Sequence, residues 1–256
     1  SHTRPNGTSC FTIFEKYKIT AGAKVSFTNT RNGINYDTSD PTLVQDDYFR
    51  YKEQIYALYA DYSREFSERF SMQLGLRMEH TRTTGISEAK DTEDKHDYTR
   101  LFPTVYLLYS PTDGHALNFS FSNRISRPSQ NMVNPFPFYQ NKYTYACGRE
   151  DLKPSYTYNA ELGYTLKNNF NVSAYYSYSD DVFFQVVDLD AETNVTSFLW
   201  ENFMQTHAFG LNNSYTFRTK WLQAYAQHGV SYRRTTSSAA TTSPEEKGWA
   251  YNASLR

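Results

Sequence analysis

The sequence predicts an all-β chain folded as an antiparallel, up-and-down section of a transmembrane β-barrel with about ten strands. Three observations predict it. Strand-length segments alternate apolar and polar residues, the connections between them alternate between short and long, and aromatic residues gather toward both ends of the segments. The cleanest segment is Tyr156–Lys167, where Tyr156, Tyr158, Ala160, Leu162, Tyr164 and Leu166 oppose Thr157, Asn159, Glu161, Gly163, Thr165 and Lys167. A period of two puts one set on each face of a strand, so one face meets an apolar medium and the other a polar one.

The remaining segments follow the same period. Lys18–Thr30 places Ala21, Ala23, Val25 and Phe27 on one face, and Tyr51–Arg64 places Tyr56, Leu58, Ala60 and Tyr62 there. Glu68–Thr81 sets Phe70, Met72, Leu74, Leu76 and Met78 against Ser71, Gln73, Gly75, Arg77 and Glu79. Tyr98–Tyr109 is apolar on both faces in its second half. His115–Arg127 then opposes Leu117, Phe119, Phe121 and Ile125 to Asn118, Ser120, Ser122 and Arg124. Beyond Lys167, Phe170–Val187 carries Phe170, Val172, Ala174, Tyr176 and Tyr178 on one side. Ser197–Arg218 alternates through Phe209, Leu211, Tyr215 and Phe217, Trp221–Arg233 through Leu222, Ala224, Ala226 and Val230, and Gly248–Arg256 ends the chain.

Short turns are expected near Ser67, at Pro111–Gly114, at Asn168-Asn169 and at Thr219-Lys220. Longer polar connections are expected at Arg31–Tyr48, Ser87–Asp97, Pro128–Ser155, Asp188–Thr196 and Thr235–Lys247. One end of every hairpin is therefore tight and the other loose, the asymmetry of outer-membrane barrels. Tyr62, Phe66, Phe70, Tyr109, Phe170, Phe217 and Trp221 lie by the short turns, and Tyr51, Tyr98, Phe102, Tyr156, Tyr158 and Tyr178 toward the long ones. Two such levels match the aromatic girdles of a membrane barrel. A soluble β-sandwich also alternates, but its strands are shorter and its turn lengths do not alternate so regularly.

Composition agrees. Aromatic residues make up 17% of a chain that is only 39% hydrophobic, which suits β-structure showing apolar groups on one face. The longest unbroken apolar run, Ile55–Ala60, is far short of the roughly 20 residues a spanning helix needs. A net charge of −1 gives no overall basic field for nucleic acid. Cys10 and Cys147 are too few for a disulfide framework and lack metal-ligand spacing; two unpaired thiols are expected, with a single bridge as the alternative.

Motifs that carry chemistry are weak. Asp46-Asp47 and Asp180-Asp181, with His207 or His228, resemble the Asp/His sets of outer-membrane proteases. Adjacent acids in an extended strand nevertheless point to opposite faces, and no nucleophile and base can be placed in reach of each other. No catalytic residue is expected. Asp188, Asp190, Glu192 and Asn194 resemble the start of a calcium loop, but Thr193 and Leu199 stand where that loop needs Gly and Glu, so a polar hairpin is expected. The six histidines show no ligand spacing, and neither a metal nor a cofactor is expected.

The connection Pro128–Ser155, at about 28 residues, is long for a structureless loop. Its Phe136, Phe138, Tyr139, Tyr143 and Tyr145 suit the capture of a sugar or chelate face, or else pack the loop against its neighbours. Arg124 and Arg127 end a strand beside Pro128 and fit a charged lumen wall that guides a solute or touches a plug; a lumen face is polar in any case. These seven residues are the candidate ligand-binding set.

The order Ser122-Asn123-Arg124-Ile125-Ser126-Arg127-Pro128, then Asn134-Pro135-Phe136, then Leu152-Lys153-Pro154 resembles the β-barrel portion of TonB-dependent outer-membrane receptors. The likeness is to the group common in Bacteroidetes-type bacteria, where a strand ending S-x-R-I-S-R-P is followed by N-P-F and a loop closing on G-N-x-x-L-K-P. Gly148-Arg149 stands here at the usual Gly-Asn step. The resemblance implies a large barrel, commonly of about 22 strands, with an N-terminal plug in the lumen. Neither a plug nor a TonB-box segment is visible, and the end Ser254-Leu255-Arg256 is not the aromatic end such barrels carry. Residues 1–256 are therefore expected to be a single middle-to-late barrel section, an open curved sheet or a re-closed small barrel, with plug and last strands elsewhere. The implied function is nutrient uptake across the outer membrane without covalent chemistry. Its partners would be outer-membrane lipid, the plug and through it TonB, and a surface lipoprotein, but no nucleic acid. The alternative is a self-contained small outer-membrane barrel acting as a protease-like enzyme or an adhesin.

Overall fold

Clean alternation fixes strand register, because a slip of one residue would turn every apolar side chain to the wrong face. In the computed structural model, which describes residues 17–34, 47–87, 91–238 and 245–256, that register holds across one sheet. The first half comprises β1 (Tyr17–Ile34), β2 (Asp47–Ser67), β3 (Phe70–Ser87), β4 (Thr92–Tyr109) and β5 (His115–Ser126). One connection then holds α1 (Gln130–Val133), β6 (Phe138–Asn141) and β7 (Thr144–Cys147). The second half comprises β8 (Ser155–Leu166), β9 (Phe170–Asp190), β10 (Val195–Arg218), β11 (Gln223–Ser237) and β12 (Glu245–Leu255). The ten long strands pair in chain order and antiparallel, as predicted. Among the described residues β1 and β12 do not pair with each other, so the sheet is open.

A single row of cross-strand neighbours takes one residue from each long strand: Ile19, Tyr62, Leu74, Val105, Phe121, Ala160, Tyr176, Phe209, Tyr232 and Trp249. The next row, on the opposite face, reads Thr20, Asp61, Gly75, Thr104, Ser122, Asn159, Ser177, Ala208, Arg233 and Gly248. The first contains no charge and the second almost no apolar side chain. Their burial inverts the rule of soluble proteins. Leu58, Leu76 and Leu162 are 50–56% exposed, whereas Glu79 is 5% and Thr81 0% exposed. We call the apolar face outer and the polar face inner.

The short turns form as expected. Lys167 and Asn168 take φ of 49° and 57°, the paired left-handed geometry of a tight hairpin, and Asn169 N–H donates to the Leu166 carbonyl at 3.0 Å. At the other end the strands run further than predicted. Ser87–Asp97 is largely ladder, since β3 continues to Ser87 and β4 begins at Thr92; Asp188–Thr196 shrinks to a turn between Asp190 and Val195. Backbone pairing persists there after the alternation fades, because the outer face meets water and the inner face packs on the β5–β8 connection, so neither imposes an apolar alternation. In the Asp190 turn the carboxylate accepts from Glu192 N–H at 2.9 Å and from the Thr193 hydroxyl at 2.7 Å, bonds that hold it below the usual carboxylate range. Cys10, Asp46 and the middles of the Arg31–Tyr48 and Thr235–Lys247 connections lie outside the described residues.

Candidate functional site

The β5–β8 connection is folded, not structureless, and it folds inward. Phe49 on β2, which is 1% exposed, packs with Val133 and Leu152 of the connection; Tyr51, Met132, Phe183 and Trp200 close round them. Burying such side chains contributes about 1.5–3 kcal/mol each, well above the roughly 0–1 kcal/mol of an exposed ion pair. Apolar packing is therefore the main force holding the connection down. Phe49, Tyr51, Thr83, Gly85, His96 and Tyr98 all belong to the inner face, and with Val133, Leu152 and Pro154 they enclose a cavity of about 90 Å³. That volume is too small for a solute of ordinary size.

Polar contacts fix the connection at both flanks. On the β4 side, His96 Nε2 lies 3.1 Å from the Glu150 carbonyl oxygen and 2.8 Å from the Asp94 carboxylate. Across the sheet, Arg149 bonds Asp151 at 2.6 Å and Glu201 of β10 at 2.7 Å; the Asp151 carboxylate keeps the guanidinium charged to higher pH than usual. Lys153 N–H donates to Asn202 Oδ1 at 2.8 Å, and Asn202 Nδ2 donates to the Lys153 and Asp181 carbonyls at 2.9 and 2.7 Å. Asp181 has φ 51° where the β9–β10 register shifts. Finally β7 runs parallel to β10, pairing Thr144–Cys147 with Thr196–Leu199.

Gly148 is required by close approach. A Cβ there would sit 2.6 Å from the Met132 carbonyl oxygen and 2.7 Å from the Asn134 nitrogen, both backbone atoms that cannot swing away. The same crossing is bonded by Gly148 N–H to the Asn134 carbonyl and Arg149 N–H to the Met132 carbonyl, each at 2.8 Å. Residues that carried the family resemblance are thus the ones that close the connection: Asn134, Phe136 and Leu152 are 8%, 6% and 5% exposed.

Beneath its start lies an ionic cluster. Glu79, nearly fully buried, pairs with Arg77 of its own strand and with Arg127 at 2.5 Å, and Arg127 also donates to the Thr81 hydroxyl at 3.2 Å. Lower on the inner face, Lys24, Tyr59, Asp61, Arg77, Phe102 and Arg124 line an open hollow of about 650 Å³. That size lies in the range of about 300–1,000 Å³ typical of ligand pockets.

The seven predicted ligand-binding residues fall into separate groups. Phe138, Tyr139, Tyr143 and Tyr145 come together on the β6–β7 hairpin, with Phe138 and Tyr143 58% and 55% exposed and the Tyr139 and Tyr145 rings 5.5 Å apart. Phe136 is packed inside the connection instead. Arg124 is exposed in the hollow, and Arg127 is held by Glu79. Phe49, Glu150, Glu201 and Asn202, which seat the connection, carried no sequence motif. Neither protease-like histidine meets a carboxylate among the described residues: His207 Nδ1 lies 2.8 Å from the Tyr176 hydroxyl and His228 Nε2 2.9 Å from the Asn213 amide.

Residues 11–256 match the model of the outer membrane protein beta-barrel family. No curated protein matches the chain. Among solved structures, the copper transporter OprC superposes with a TM-score of 0.62 at 12% identity, over 90% of this chain and 37% of that one. The hemophore receptor HasR of Serratia marcescens, solved with its hemophore HasA and heme, gives 0.57 at 10% identity, over 90% and 47%. The ferric enterobactin receptor PfeA of Pseudomonas aeruginosa gives 0.52 at 12% identity, over 87% and 40%. The chain spans less than half the length of each, and at these identities the likeness is one of fold.

Proposed function

The chain belongs to the outer membrane protein beta-barrel family, and from that premise we propose that it forms wall and mouth of a receptor for TonB-dependent nutrient uptake. Its place is the outer membrane, with the outer face in lipid and the inner face toward the lumen. The observation that carries the uptake reading is the β5–β8 connection, seated on the inner face above an open polar hollow while presenting exposed aromatic rings. In this reading Phe138 and Tyr143, with Tyr139 and Tyr145 behind them, hold a solute's apolar face. Arg124 and Arg127 belong to the lumen wall it passes. The ten strands form one section of a larger wall, and a plug elsewhere in the receptor couples it to TonB, with a surface lipoprotein as a further partner. No step is covalent.

The test uses the intact receptor in a strain lacking its own copy. Growth is followed on limiting ferric chelate, cobalamin, oligosaccharide or peptide. Each exposed ring contributes about 0.5–1.5 kcal/mol to a stacked contact. The double substitution Phe138→Ala with Tyr143→Ala is therefore expected to raise the half-saturating solute concentration about tenfold, at an unchanged amount of protein in the membrane. Growth that is equally good without TonB would remove the uptake reading.

A further inference from the structure

Halfway across the apolar band of β10 and β11, the outer face carries two polar side chains. The rungs there read Phe217 and Ala224; Tyr215, Ala226 and Leu255; Asn213, His228 and Ala253; Leu211, Val230 and Tyr251; then Phe209, Tyr232 and Trp249. Asn213 and His228 thus have two rungs of aliphatic and aromatic residues on either side. At about 3.3 Å per residue the pair lies roughly 13 Å along the strand from the aromatic level at each end, deep in the hydrocarbon. No amide or imidazole occurs in the matching outer rows of β3 (Phe70–Met78), β4 (Leu101–Tyr109), β8 (Tyr158–Leu166) or β9 (Phe170–Tyr178).

The two side chains bond each other, with Asn213 Nδ2 2.9 Å from His228 Nε2, and neither makes another hydrogen bond among the described residues. One bond leaves capacity over. With the amide nitrogen donating to Nε2, the imidazole keeps its proton on Nδ1 and the amide keeps its oxygen. In the opposite amide orientation Nε2 donates to that oxygen, Nδ1 accepts, and the amide N–H groups are left. Either way the pair shows both a donor and an acceptor to its surroundings. No further strand of the wall reaches them, since Val172 of β9 and Ala253 of β12 occupy the flanking positions. Lipid tails take neither bond, and an unmet polar group in hydrocarbon is costly.

A donor and an acceptor on one patch are self-complementary, which is what a two-fold contact requires. An axis along the membrane normal keeps both copies at one depth, so each donor meets the other copy's acceptor. The surface also permits close approach. Ala226 and Ala253 are exposed, and with Asn213, His228, Tyr215 and Tyr251 they line an open hollow of about 500 Å³. Small residues let two membrane surfaces come near enough for bonds of this kind. We infer that the outer face of β10–β12 is a contact with a second copy of this chain inside the membrane. Asn213 and His228 bond their counterparts there, and Ala226 and Ala253 lie at the closest approach. The inference rests on the outer-membrane location and is independent of the uptake reading.

The test uses the intact protein in its own membrane and then in lipid vesicles. Photoreactive benzoylphenylalanine in place of Tyr251 is expected to yield, on illumination, a species of twice the protein's mass. The same group in place of Leu162, on the outer face of β8, is expected to yield none. In vesicles, energy transfer between differently labelled copies reads the association constant. Asn213→Leu with His228→Leu is expected to weaken association roughly tenfold, about threefold for each of the two bonds. Its urea midpoint is expected to stay equal or rise, because the lipid face has lost polar groups. Ala226→Trp fills the hollow and is expected to abolish association while the polar pair remains. A crosslink from position 251 only to lipid or to a different protein, or association undiminished in the leucine pair or in Ala226→Trp, would each overturn the inference.

Discussion

Replacing Leu76 by arginine is expected to weaken folding into lipid vesicles by about 2–4 kcal/mol, the cost of a cation on the lipid face near the bilayer midplane. Leu76 lies between Ala60 and Pro103 on the outer face, midway along β3, and is 50% exposed in the protein alone. In water such a leucine would be an unremarkable surface residue and its replacement would cost less than about 0.5 kcal/mol. In lipid the same change shifts the insertion equilibrium by roughly thirtyfold or more. Gln73→Arg, three residues away on the inner face, is expected to stay near the smaller figure. Urea titration of the two variants in vesicles separates them, and equal effects would show that the outer face is not lipid-facing.

The second large effect is expected at Glu79. This carboxylate is 5% exposed and holds Arg77 and Arg127 together beneath the start of the β5–β8 connection. Removing one partner of a buried pair costs about 3–5 kcal/mol, because the remaining charge stays buried without its counter-ion. Here two guanidinium groups would be left facing each other. Because the stranded Arg77 and Arg127 side chains are 39% and 21% exposed, Glu79→Ala is expected to fall at the lower end of that range, about 3 kcal/mol or less, and to free the connection at its first residue. Replacing both Glu79 and Arg127 by leucine is expected to cost less than the single change, since only Arg77, the more exposed of the two guanidinium groups, then lacks its partner. Denaturant midpoints give the energies, and limited proteolysis between Pro128 and Pro154 reports whether the connection has lifted. Wild-type protease resistance in Glu79→Ala would show that the apolar contacts of Phe49, Val133 and Leu152 hold it unaided.

The strands were legible because lipid and lumen impose opposite chemistry on alternate residues, so Tyr156–Lys167 could be read without any neighbour. Their outer ends were not. Thr92–Asp97 and Val195–Thr196 lie where the outer face meets water and the inner face meets the folded β5–β8 connection, and a ladder there leaves no period in the sequence. The candidate site was legible in part. Aromatic clustering singled out Phe138, Tyr139, Tyr143 and Tyr145, which the hairpin does bring together. It could not separate them from Phe136, because the same ring type stands exposed on a hairpin or packs inside a connection, and only the fold decides which. Asn202 was invisible for another reason. Its amide bonds the Lys153 backbone, 49 residues away along the chain, and no local pattern marks a side chain that substitutes for a strand partner.

With one face of this sheet in lipid and the other toward a water-filled lumen, alternate residues of a strand meet different solvents. Spin labels placed one at a time along β8, by cysteine substitution from Thr157 to Thr165, test it most directly in vesicles holding the intact protein. Labels at Tyr158, Ala160, Leu162 and Tyr164 are expected to be relaxed mainly by oxygen dissolved in the bilayer. Those at Thr157, Asn159, Glu161, Gly163 and Thr165 are expected to respond mainly to a water-soluble nickel chelate, giving a period of two. Accessibility to the chelate that is uniform along β8, or highest at Leu162, would contradict it.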